Sequence, residues 1–350
     1  MPTRAPLRKA SYWWAILILI VIAVIAGGTV LFSRHSQKAA VAQPDDPFSV
    51  LWTGNFAKDR EYWKGQMDKL GAEKAYELFK EDTQGKEFGV AHTLAHVMGQ
   101  LIYQKEGLEG IAVCDGSFAF GCYHSFFGAA IKANGIQAIP ELADACRKRW
   151  GEGLGCPHGI GHGILSYLGD DMLEEALGIC STLPWKNPFG GCHSGVLMEF
   201  NFHTMESITG SEDRPLDPKN PYDPCNRLPA AFGESCYFEQ PQWWLSVFSH
   251  DYEKVGKLCL AVADKAERVA CFQGVGNVAA PEAMYDVDKT RAACALMPTK
   301  EGVSLCLQRA SWAIFAEPSA KDKQGSVCAE LPAAERAYCA GGSDSGSPKK

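Results

Sequence analysis

No two of the fourteen cysteines in this 350-residue chain stand as Cys-x-x-Cys, and no Cys-x-x-Cys-His occurs. The first absence removes thiolate zinc ribbons and thioredoxin-like redox motifs, and the second removes a c-type haem. A Gly-x-Ser-x-Gly elbow, a Walker A loop, an EF-hand loop and a His-Glu-x-x-His zinc helix are missing too. No motif therefore assigns a reaction. Alternating, β-branched strand patterns are almost absent, which points away from sheets. Acidic residues are lacking from the first 38 positions, where Arg4, Arg8, Lys9, Arg34 and Lys38 give +5. The remaining chain thus carries a formal −12 against −7 overall. Such a body has no basic face for phosphate backbones, so nucleic acid is not an expected partner.

What is present begins with an uncharged run, YWWAILILIVIAVIAGGTVLF, from Tyr12 to Phe32. A helix of that length spans roughly 30 Å of hydrocarbon. Tyr12, Trp13 and Trp14 suit the interface, and the preceding basic residues place the N-terminus in the cytoplasm. A cleavable signal peptide is the rival, with Ala40-Val41-Ala42 as a small-x-small site. The run is long for a signal core, and Arg34 and Lys38 separate it from that site. The expected organisation is therefore a cytoplasmic 1–11, a transmembrane signal anchor 12–32, a linker 33–48, an extracytoplasmic domain 49–340 and a polar tail 341–350. Either reading exports the body to the periplasm or outside the cell, where disulfides persist.

The cysteines form a ruler. Read as consecutive pairs, they are Cys114 with Cys122, Cys146 with Cys156, Cys180 with Cys192, Cys225 with Cys236, Cys259 with Cys271, Cys294 with Cys306 and Cys328 with Cys339. First members recur about every 34 residues, with one insertion of about 11, the signature of stacked supersecondary units. Within a unit the text is helical, as in DYEKVGKLCLAVA, then DKAER, then VACFQGVGNVAA. Each unit reads as helix A, a turn and helix B, with one cysteine late in A and one early in B. A disulfide there staples the hairpin, worth roughly 2–3 kcal/mol for a loop of about ten residues. A cysteine-free unit, AEKAYELFKEDT and KEFGVAHTLAHVMGQLIY, fits the same frame. The expectation is an all-α fold of about eight hairpins behind a capping segment at 49–70. Met205 to Asp223 reads as an inserted loop, rich in Pro, Asp and Asn.

These periodic, cysteine-stapled hairpins resemble the disulfide-rich Sel1-like repeat proteins, relatives of the tetratricopeptide class. The resemblance covers residues 72–340 and implies an α/α superhelix that binds an envelope protein or peptide on its concave face. A closed α/α toroid is the alternative architecture.

Histidine is concentrated in the first four hairpins: His92, His96, His124, His158, His162, His193 and His203. Aligned on the helix-B cysteine, His124 and His158 each follow by two residues. His92 takes the same slot in the cysteine-free unit, and His193 falls one residue early. Later units hold Phe238, Gln273 and Gln308 there. His92/His96 and His158/His162 are i,i+4 pairs, which share a helical face and suit chelation. Packed helices lie 8–10 Å apart, so imidazoles on neighbouring B helices can meet. Glu199 shares a face with His203 and is a candidate ligand or general base. A set rich in imidazole suits zinc, iron or copper. Two readings follow. One is a membrane-anchored, extracytoplasmic metalloprotein whose site lies in the first four repeats, with an enzyme among its forms. The other is an envelope interaction scaffold with structural histidines.

Overall fold

The computed structural model describes residues 56–86, 88–151, 153, 155–205, 214–317 and 319–339. The expected anchor at 12–32, the linker and the tail at 341–350 lie outside the described residues. Among the described residues no helix is long and apolar enough to cross a membrane. No strand occurs among them either, and the fold is all-α.

A leading helix α1 (Phe56–Leu70) covers the first hairpin, α2 (Ala72–Asp82) and α3 (Phe88–Glu106). The B helices that follow are α4 (Gly121–Asn134), α6 (Gly155–Leu168), α8 (Cys192–Phe202), α9 (Gly233–Val247), α11 (Lys265–Glu282) and α13 (Lys300–Ala316). Their A partners are α5 (Ile139–Trp150) before α6, α7 (Leu173–Thr182) before α8, α10 (Tyr252–Leu260) before α11 and α12 (Val287–Ala295) before α13. Two four-residue helices, α14 (Gln324–Val327) and α15 (Ala333–Arg336), form the last unit. All seven consecutive cysteine pairs are disulfides, with Cα–Cα distances from 5.4 Å at Cys259–Cys271 to 6.3 Å at Cys328–Cys339.

Two units depart from the helix–turn–helix expectation. Before α4 the A position is a 3-10 turn, Gly107–Ala112, not an α-helix. Before α9 it is a string of turns over 214–229. That second stretch holds Pro215, Pro218, Pro221, Pro224 and Pro229. Each proline removes a backbone donor and clashes with the preceding turn, so a helix cannot run through it.

The later A and B helices start on side-chain caps. Asp251, Asp264, Asp286 and Thr299 each accept a bond from a first-turn amide. No such side-chain cap starts α4 or α8. Their first turns are tied instead by Cys122 and Cys192.

Each B helix packs on the next along the row α3, α4, α6, α8, α9, α11, α13, and each A helix packs against its own B helix. Among the described residues no extensive contact joins α13 back to α3. Glycine sets the spacing of this row. In Cys156-Pro-His-Gly-Ile-Gly161 and Cys271-Phe-Gln-Gly-Val-Gly276, the two glycines face opposite neighbours. A Cβ on Gly159 would lie 2.8 Å from the Tyr123 carbonyl oxygen of the preceding B helix, and one on Gly161 would collide with the Cys192 carbonyl of the next. Gly274 and Gly276 repeat this against the Phe238 and Cys306 carbonyls. Gly195 answers from α8, against the His158 carbonyl. Backbones therefore touch directly on both sides, the close approach that small residues permit.

A methyl group at these points must push a helix aside. Gly276→Ala is expected to destabilise the fold by about 1–3 kcal/mol through overpacking. Gly178→Ala, on exposed α7 with nothing within 4 Å of the new Cβ, is expected to be neutral or to stabilise by up to about 1 kcal/mol. Urea midpoints of the two variants check the contrast. Equal shifts would deny the packing role.

Candidate metal centre

Three adjacent B helices bring five imidazoles together. α3 supplies His92 and His96, α4 supplies His124, and α6 supplies His158 and His162. They form two groups, His92–His96–His124 and His124–His158–His162, with the nitrogens of each group within 4.8 Å of one another. His96 Nε2 lies 3.2 Å from both His92 Nε2 and His124 Nδ1. His162 Nε2 lies 3.1 Å from His158 Nε2. Glycine packing makes this convergence achievable, since Gly159 and Gly161 sit beside His158 and His162 on the same helix. His124 and His162 are 2% and 0% exposed. His96 and His158 are also buried, and His92 is half-buried.

The outward nitrogens are held from behind. His92 Nδ1 donates to the Phe118 carbonyl at 2.6 Å. That carbonyl is aimed by three successive non-glycine residues in the left-handed region, Phe118, Ala119 and Phe120, with φ of 56°, 46° and 64°. Such backbone persists only where surroundings enforce it, and it clusters at functional sites. His162 Nδ1 lies 2.9 Å from Glu199 Oε2. Backbone carbonyls of Thr204 and Gly191 face His96 and His158, although His158 Nδ1 falls outside hydrogen-bond geometry. Ligating histidines are ordinarily oriented in this way by an acceptor on the far nitrogen.

Glu199 is buried at 2% exposure, and both its oxygens are engaged. Oε2 also accepts from the Thr204 hydroxyl at 2.6 Å, and Oε1 accepts from the Met205 amide at 2.9 Å. Its place is behind His162 as an orienting carboxylate. Thr204 reaches both halves of the cluster, through its carbonyl to His96 and its hydroxyl to Glu199.

The other two candidate histidines are not in these groups. His193 is one residue off the slot, which turns it about 100° around the helix axis. Its Nε2 is held against α7 by the Leu177 carbonyl at 3.1 Å and Ser181 Oγ at 3.0 Å. The slot itself is filled on α8 by buried Ser194. His203 is the left-handed C-cap of α8, with φ of 47°, so it leaves the helical face it would share with Glu199. It pairs with Asp170 at 2.8 Å. The seven-histidine expectation thus divides into five that converge and two that do not. Sequence reasoning missed the Phe118 carbonyl and Thr204, neither of which carries a spacing signal.

Burial keeps four of the converging imidazoles, His92, His96, His124 and His158, neutral. Desolvation, partly offset by the Phe118 carbonyl, draws His92 down to about 4. Desolvation and neighbouring imidazoles hold His96, His124 and His158 well below the usual histidine range. Neutral imidazole is the form that binds metal.

The unfolded chain takes up protons below about pH 6.5 that the folded chain refuses, so this stability is complete above 6.5 and falls as pH drops towards 4. Each group contributes up to about 1.4 kcal/mol per pH unit. Urea midpoints of the chelator-stripped chain are expected to decline steadily between pH 7 and pH 5. A flat profile would mean charged or solvated imidazoles.

No protein-family model, no curated protein and no solved structure matches this chain.

Proposed function

We propose that this chain is a metalloprotein of an oxidising compartment, holding transition-metal ions through His92, His96, His124, His158 and His162. One observation carries the reading: five imidazoles converge inside the protein in two groups whose nitrogens lie within 4.8 Å of one another. A neutral imidazole has a single N–H. His92 spends it on Phe118 and His162 spends it on Glu199, so both Nε2 atoms present lone pairs to their neighbours. A lone pair so directed takes either an N–H from the neighbouring ring or a cation, and a cation satisfies several converging nitrogens at once. At Zn–N bonds of about 2.0–2.1 Å, tetrahedral ligand nitrogens lie about 3.3–3.4 Å apart and square-arranged ones about 2.9 Å. The 3.1 and 3.2 Å separations fall between these values.

The donor set of imidazoles without thiolate suits zinc, copper or iron. Seven disulfides support a periplasmic or extracellular setting, with the 12–32 segment as the membrane anchor. That no extensive contact joins α13 to α3 among the described residues supports an open superhelix, on the Sel1-like pattern, whose concave face takes an envelope protein or peptide.

Elemental analysis of the purified chain, with zinc, copper and iron titration of the stripped form, is expected to give at least one equivalent. The double variant His158→Ala/His162→Ala should lower it. Less than a tenth of an equivalent and no uptake would overturn the metal reading and leave the scaffold. Glu199→Gln is expected to weaken metal affinity about 10–100-fold at unchanged stoichiometry. Unaltered affinity would remove Glu199 from an orienting role.

A further inference from the structure

The five histidines are not equivalent. His92 and His162 hold hydrogen bonds to the Phe118 carbonyl and the Glu199 carboxylate, and the Thr204 and Gly191 carbonyls stand beside His96 and His158, with His158 Nδ1 outside hydrogen-bond geometry. His124 has no such acceptor. Its Nδ1 looks into the first group, 3.2 Å from His96 Nε2. Its Nε2 is fully buried and has no hydrogen-bond partner at all. An orphaned buried ring nitrogen is costly, and in a native protein it calls for a cause. The ring lies 5.2 and 5.3 Å from His92 and His96, and 5.0 and 4.5 Å from His158 and His162. It sits on α4, the helix between α3 and α6, and it is the one residue common to both groups.

We infer that the centre is dinuclear, with the His124 imidazole bridging two metal ions: one held with His92 and His96, the other with His158 and His162. This deepens the metal reading above and rests on it. The two nitrogens of an imidazole point away from each other, so one ring can serve two ions but cannot chelate one. A terminal ligand needs its second nitrogen oriented by an outer acceptor, and a bridging ligand must have no such acceptor. His124, with no acceptor beside it, meets the second condition, and His92 and His162 meet the first through their bonds to Phe118 and Glu199. Bridging requires loss of the single His124 N–H proton to solvent. The resulting anion is stabilised by the two cations it joins. Each ion then has three nitrogen ligands, which leaves coordination positions for water or substrate, as at catalytic rather than closed structural sites. Thr204 reaches both halves, through its carbonyl beside His96 and its hydroxyl on Glu199, so it ties the two sites to one segment of chain.

Copper(II) titration of the full-length, metal-stripped chain, read by electron paramagnetic resonance, tests the bridge. Uptake is expected to saturate at two ions per chain. The low-temperature signal should integrate to well below two spins, with a half-field transition, because an imidazolate bridge couples the two unpaired electrons. The variant His92→Ala/His96→Ala removes one ion's terminal ligands and leaves His124 in place. It is expected to bind one ion with one full spin and to keep its helical circular dichroism. Saturation at one ion in the wild type, or two ions with two full, uncoupled spins, would overturn the bridge while leaving a metalloprotein. No uptake at all would overturn both readings. Zinc in place of copper should give the same two-ion stoichiometry by elemental analysis, and a single zinc would count against the pair.

Discussion

Backbone touching backbone between neighbouring B helices is the constraint on which the rest depends. Where Gly159, Gly161, Gly195, Gly274 and Gly276 stand, the next helix comes in until its carbonyl meets a Cα. Glycine in a helix interior costs about 1 kcal/mol against alanine in local propensity. Disulfides at the helix starts and burial on several sides offset that cost. Short imidazole side chains on neighbouring helices then meet, His96 Nε2 lying 3.2 Å from His124 Nδ1 and the His124–His158–His162 nitrogens within 4.8 Å of one another.

Much of the fold was legible because cysteine pairing and repeat length are one-dimensional properties. A staple between a cysteine late in one helix and one early in the next needs only local geometry, and all seven pairs follow chain order. The i,i+4 histidine pairs were readable for the same reason. Illegible were features set by backbone path. The left-handed run Phe118–Ala119–Phe120 aims a carbonyl at His92, yet nothing in those residue names announces positive φ. His193 differs from its counterparts by one position, and a single residue on a helix is enough to send it to Leu177. His203 stands on the right heptad face, but the helix ends under it. The paired roles of Gly161 and Gly276 required knowing which neighbour each faces.

The array also changes character along its length. Beyond α8 the histidine slot is filled by Phe238, Gln273 and Gln308, the buried polar groups include Glu239 and Gln240, and Arg309 is half-buried. Burial raises the Glu239 carboxyl to about 7, and burial draws the Arg309 guanidinium down to about 10, partly offset by Glu239. The α8–α9 junction, which has no glycine pair and follows the inserted segment, separates these two halves. One repeat frame thus carries neutral, lone-pair-rich interiors at one end and charged, aromatic-lined ones at the other, where Arg309 lies over Phe238 and Trp312.

The staples span only 8 to 12 residues. Eight cysteines can already be joined in 105 ways, and fourteen in far more. Nearest-neighbour closure escapes that combinatorial problem during delivery to an oxidising space. A chain emerging N-terminus first can lock each hairpin as it appears, before a competing thiol has arrived. The converging histidines and their outer partners end at Thr204. The whole proposed site is therefore assembled while the later four units are still in transit, so under the metal reading loading can precede completion of the polypeptide.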